Sequence, residues 1–130
     1  MTSVFCDATS FNRDLSQWDV SSADTMNSMF ASAISFKGGI SKWDVSRVLS
    51  MRSMFNGATS FNVDVSKWDV SEVNCMDYMF RRATSFNQQL CQPAWVNSKA
   101  SKVEMFSGSA REALRIVCTC LLYTSPSPRD

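Results

Sequence analysis

The sequence predicts an α/β solenoid in which each 25-residue repeat supplies one short parallel strand and one short helix. Three observations carry that expectation. The stretch from Ala58 to Phe80 recurs 25 residues earlier and again 25 before that. Trp18-Asp19-Val20-Ser21, Trp43-Asp44-Val45-Ser46 and Trp68-Asp69-Val70-Ser71 alternate apolar and polar residues, the period of a strand with one buried face. Val48, Met51, Met54-Phe55 and Ala58 then follow at steps of three and four, the period of one helix face.

The strand comes first in each unit. Leu15-x-x-Trp18-x-Val20, Ile40-x-x-Trp43-x-Val45 and Val65-x-x-Trp68-x-Val70 match the strand skeleton of leucine-rich repeats. The period of 25 also lies inside their length range, so the predicted class is leucine-rich-repeat-like. In the third copy the strand falls on Trp68-Asp69-Val70 and the helix on Val73 to Phe80. Ser46 or Ser71 supplies the helix N-cap, and Asp24, Arg47 and Glu72 take outward first-turn places.

One such unit has too few apolar side chains to hold itself in order, so stacking is required. Stacked strands about 4.8 Å apart would turn the repeated columns into ladders. Trp18, Trp43 and Trp68 form one, and Phe30, Phe55 and Phe80 another. Asp19, Asp44 and Asp69 would form a row of like charges, and Lys42 and Lys67, two residues ahead of Asp44 and Asp69, are expected to alternate with it.

The expected organisation is a single solenoid over residues 1–118. It opens with a partial repeat, 1–7, followed by repeats 8–32, 33–57 and 58–82, and closes with a divergent capping repeat, 83–118. Met1 falls in the column of Met26, Met51 and Met76, so it reads as an internal methionine of a longer array. In the capping repeat two residues are added between Leu90 and Trp95. Pro93, among them, lacks a backbone donor and suits an edge strand. Ala110, Ala113, Leu114 and Val117 then have helical spacing. Cys91 and Cys118 flank this cap and make a candidate disulfide. Residues 119–130 share nothing with the repeat and read as translated adaptor sequence or a Ser/Pro-rich tail.

Composition narrows the function classes. Thirteen basic and twelve acidic residues are spread along the chain, with no basic stripe for nucleic acid. There is no histidine, which removes the commonest general base and imidazole-based metal sites. The five cysteines occupy no common column, and Cys118-Thr119-Cys120 is too tight for a metal knuckle. Neither a cofactor nor a metal site is expected. The apolar stretch near Leu114 to Tyr123 is too short to span a bilayer.

Phe61-Asn62, Trp68-Asp69-Val70-Ser71, Val73, Met76 and Met79-Phe80 together resemble the BspA-like surface-protein repeat, a divergent leucine-rich-repeat family of unknown function. The resemblance covers about residues 1 to 108. Trp95-Val96-Asn97-Ser98 resembles the closing unit of microalgal members. It implies an α/β solenoid, an extracellular or cell-surface setting, and adhesion or protein binding. It implies no catalytic residue.

The conspicuous columns have structural explanations: Trp as core, Asp as an acceptor for turn N–H groups or a partner of Lys, Met as adaptable filling. Binding is therefore assigned to the outward positions of the strand face. These are Gln17, Asp19 and Ser21, then Lys42, Asp44 and Ser46, then Lys67, Asp69 and Ser71. The expected role is a non-enzymatic module binding a protein or cell-surface ligand. The alternatives are a structural spacer presenting another domain and, more distantly, an enzyme whose chemistry lies in another segment.

Overall fold

The computed structural model describes residues 1–110. The candidate Cys91–Cys118 pairing, the helical spacing beyond Ala110 and the tail at 119–130 lie outside the described residues. Cys91 is disulfide-bonded, and Cys6 and Cys75 are free thiols.

Successive copies lie on one another in parallel and in register. Where the chain crosses from one copy to the next in space, Thr25 pairs with Ser50, Ser50 with Cys75, and Cys75 with Ser101. Beyond these bridges, alternate residues bond across the boundary. Ser28 N–H donates to Arg52 C=O at 2.8 Å, Phe30 N–H to Met54 C=O at 2.8 Å, and Ser32 N–H to Asn56 C=O at 2.7 Å. The same series recurs from Ser53, Phe55 and Gly57 to Asp77, Met79 and Arg81, and from Tyr78, Phe80 and Arg82 to Val103, Met105 and Ser107.

The segment expected to be helical is therefore not a helix. From Met26 to Ala33, from Met51 to Ala58 and from Met76 to Ala83 the chain is a ribbon of overlapping turns. Within each ribbon the remaining N–H groups close short loops, as Met54 N–H to Met51 C=O and Asn56 N–H to Ser53 C=O. Every second N–H thus bonds to the next copy, where a helix would have turned all of them back on its own chain. Left-handed residues mark the ribbon: Ser28, Ser53 and Tyr78 in one column, Ser32, Gly57 and Arg82 in another. Such a residue ends an α-helix and supplies the third position of a type II turn. The expected strand at Trp68-Asp69-Val70 is likewise irregular, and the parallel pairing sits several residues later, at Cys75.

The apolar columns fill the interior. Phe30, Phe55 and Phe80 are fully buried and their rings stack 5.6 and 5.5 Å apart. A second stack joins Phe36, Phe61 and Phe86 at 6.1 and 5.9 Å. Within a copy the two stacks touch, with Phe55 3.9 Å from Phe61 and Phe80 4.0 Å from Phe86. Each phenyl ring so held contributes about 1.5–3 kcal/mol by burial and about 0.5–1.5 more by stacking. Met26, Met29, Met51, Met54, Met76 and Met79 close the remaining space, all fully buried.

The last copy absorbs its two extra residues in α1, Pro93–Val96. Pro93 is the first residue of that helix rather than an edge-strand residue, and there its missing N–H costs nothing. The turn returns Trp95 to the tryptophan column, buried beside the third copy.

Candidate functional site

The expected strand face is a row of short turns. In each copy one carboxylate oxygen does the closing. Asp19 Oδ1 accepts Ser21 N–H at 3.0 Å and Ser21 Oγ–H at 2.6 Å. Asp44 does the same for Ser46 at 3.0 and 2.6 Å, and Asp69 for Ser71 at 3.1 and 2.6 Å. The Asp-Val-Ser spacing is thus a local staple, the geometry expected of an Asp that bonds the backbone two residues on. These bonds favour the ionised form and hold all three carboxylates below the ordinary aspartate range. Asp14 and Asp64 are lowered in the same way by Ser16 and Ser66.

Gln17, Asp19, Lys42, Asp44, Lys67, Asp69 and Ser71 are exposed, and Ser21 and Ser46 are half-buried. The three aspartates are close enough to feel one another. Asp19 raises Asp44, and Asp44 raises Asp69, each a minor effect beside the serine bonds. The expected alternation of Lys42 and Lys67 with this row is not what the side chains do. Lys67 acts on Asp64 and Arg47 on Asp44. Among the described residues the ion pairs lie elsewhere, Arg52 with Asp77 at 3.8 Å and Arg81 with Glu104 at 3.6 Å. The guanidinium of Arg52 also lies 5.1 Å from the centre of the Tyr78 ring.

The tryptophan column divides. Trp43 and Trp68 are buried and parallel, 6.5 Å apart, with no face open to a sugar. Trp18, expected in the same ladder, is 42 % exposed.

One concavity escaped the sequence. An open groove of about 330 Å³ lies where the last copy departs from the others, between Ser71, Glu72, Val73 and Asn74 on one side and Asn97, Ser98 and Lys99 on the other. Only Ser71 among its lining residues belongs to the expected face. The insertion and Pro93 were the available signal, since added length must open the stack somewhere. Nearby, Lys102 Nζ donates to the carbonyls of Ser98 at 2.9 Å and Ala100 at 3.1 Å, and burial lowers its ammonium pKa. No cluster able to hold a metal ion occurs among the described residues. None of their helices is long and apolar enough to cross a membrane.

A family model described as Mycoplasma protein of unknown function, DUF285, matches residues 1–116. The chain belongs to that family. No curated protein and no solved structure matches. The match spans the three full copies and the last, divergent one. For this DUF285 chain, the repeat and the family are thus established together, and the family description names no activity.

Proposed function

We propose that this chain is a non-enzymatic binding module of a surface protein, built as a solenoid with one turn-rich coil per 25 residues. The ligand is a protein or another cell-surface molecule, and the module works by repetition. The observation that carries the reading is the exposed row of Asp19, Asp44 and Asp69, each fixed by its serine and flanked by Gln17, Lys42 and Lys67. Side chains already held in one conformation lose little entropy when a partner arrives. A row repeated at the spacing of stacked chains suits a partner that is itself extended or periodic. The absence of histidine from the sequence and the resemblance to surface-protein repeats support the same reading.

Binding to a panel of purified extracellular-matrix proteins, immobilised on a sensor surface, tests this. Saturable binding is expected to at least one. It should fall at least tenfold in a variant carrying Lys42→Gln, Asp44→Asn, Lys67→Gln and Asp69→Asn. The amide of Asn keeps the acceptor for each serine, so the change removes charge and leaves the turn. Undiminished binding by that variant would overturn the assignment of this face.

A spacer role is the second reading. It is favoured by the same Oδ1 atoms, which each copy spends on its own backbone.

A further inference from the structure

The outward side of the turn ribbon changes from copy to copy, whereas the row of Asp19, Asp44 and Asp69 repeats. The backbone fixes which residues stand in line there. Ser53 N–H donates to Asp77 C=O and Tyr78 N–H to Val103 C=O, each at 2.9 Å, and Ser28, Ser53, Tyr78 and Glu104 share the left-handed conformation. One column therefore reads Asn27, Arg52, Asp77, Val103 and the next Ser28, Ser53, Tyr78, Glu104. A row that reads alike in every layer cannot tell one alignment of a partner from another shifted by a layer. These two columns can.

Their charges are ordered along the stack. Arg52 stands in the second copy and Glu104 in the last, with Tyr78 between them in the third. Both side chains at the ends of this line are 54 % exposed. Among the described residues each has one ion contact, Arg52 Nη1 with Asp77 Oδ2 at 3.8 Å and Glu104 Oε1 with Arg81 Nε at 3.6 Å. Both are well beyond the roughly 2.7–2.9 Å of a direct charge-assisted bond, so either group can take a closer partner. Tyr78 is half-buried beneath the Arg52 guanidinium, and its hydroxyl makes no hydrogen bond among the described residues.

We infer that this face is a docking surface for a second copy of the same chain. A two-fold axis lying in the face and crossing the stack at Tyr78 exchanges the second layer with the last. Arg52 of each chain then faces Glu104 of the other, and the two Tyr78 rings meet on the axis, the reciprocal pattern of an isologous contact. Arg52 and Glu104 stand in adjacent columns, an offset that the length of an arginine side chain spans. The tyrosine and arginine are anchor types, and the opposite charges on either side of them set the alignment. A uniformly acidic or basic partner would be attracted at one end of this line and repelled at the other. The patch is three layers deep, about 15 Å along the stack. Interfaces that small are weak, so the dimer forms only in concentrated solution.

Sedimentation of the full chain between about 10 µM and about 1 mM tests this, and a reversible monomer–dimer equilibrium is expected. Arg52→Glu sets carboxylate against carboxylate at both contacts, and Glu104→Arg sets guanidinium against guanidinium. Each variant alone should dimerise at least about tenfold more weakly. An equimolar mixture of the two should dimerise as tightly as the unaltered chain. In the mixed pair one chain brings a carboxylate to both contacts and the other a guanidinium, so both are again opposite in charge. Where circular dichroism shows that a reversal unfolds the chain, Arg52→Gln and Glu104→Gln replace the pair and should each weaken the dimer at least about threefold. A monomer throughout the range, a dimer indifferent to the reversals or to the amide variants, or a mixture of folded reversal variants no tighter than its components would each overturn the inference.

Discussion

The indole N–H of Trp68 donates to the main-chain carbonyl of Ile40 at 3.1 Å, across the boundary between two copies. Trp43 meets Leu15 at 2.9 Å and Trp95 meets Val65 at 3.1 Å in the same way. A tryptophan is large enough to bridge two layers and carries one donor at its tip. Its column therefore sets register as well as filling space.

Trp68→Phe should lower stability by about 1–3 kcal/mol, because the buried Ile40 carbonyl loses its partner while most of the ring remains. Trp18→Phe, whose indole makes no hydrogen bond among the described residues, should stay within about 0.5 kcal/mol. Urea midpoints of the two variants measure the contrast. Equal midpoints would mean that the indole bond contributes nothing.

The left-handed columns yield an opposed pair. Ser32 and Gly57 share one place in successive copies, at φ of 58° and 76°. Ser32→Gly should stabilise by about 1 kcal/mol and Gly57→Ala should cost about the same, since only glycine enters that region freely. A Cβ on Gly57 would come no closer than 3.4 Å to Ser32 Oγ, so backbone strain and not collision sets the cost. Thermal melting of both variants reads it directly.

Acid should loosen the row of turns. Asp19, Asp44 and Asp69 titrate below the ordinary aspartate value of about 3.9 because their serines bond the ionised form. Unfolded chain then binds more protons than folded chain as pH falls past that value, so stability present at neutral pH is lost through the folded pKa values. The triple variant Asp19→Asn, Asp44→Asn and Asp69→Asn should show a shallower loss of stability below about pH 4. Followed by circular dichroism, an acid profile identical to wild type would show that these bonds do not contribute.

Asp77 and Asn27 are interchangeable in geometry. Asn27 Oδ1 accepts Ser50 Oγ–H at 2.6 Å and Arg52 N–H at 2.9 Å, and Asp77 Oδ1 accepts Ser101 Oγ–H at 2.5 Å and Val103 N–H at 2.9 Å. Asp77→Asn should leave the melting temperature within a degree or two, and Asp77→Ala should lower it by several degrees. A large drop in the Asn variant would assign the role to the Arg52 ion pair instead.

Sequence reading reached the period, the buried columns and the turn chemistry of Asp19, Asp44 and Asp69, because all three follow from repetition and local spacing. It missed the ribbon. Met51, Met54 and Ala58 at steps of three and four fit a helix face, and overlapping turns bury them equally well. The deciding groups are main-chain N–H donors that alternate between two destinations, and no side chain announces that choice. Glycine at position 57 was a hint in one copy only, since serine and arginine hold the same left-handed place in its neighbours. The groove beside Asn97 and Lys99 was equally hidden, for its shape depends on how α1 takes up the insertion.

Cross-boundary bonds such as Ser28 N–H to Arg52 C=O run from one layer to the next, and the short loops within a layer are independent of them. Tension applied along the stack would therefore load each boundary in series. Layers should detach one at a time, each releasing 25 residues and lengthening the chain by about 85 Å. A protein of this construction yields in steps, shedding length while its remaining layers keep their shape.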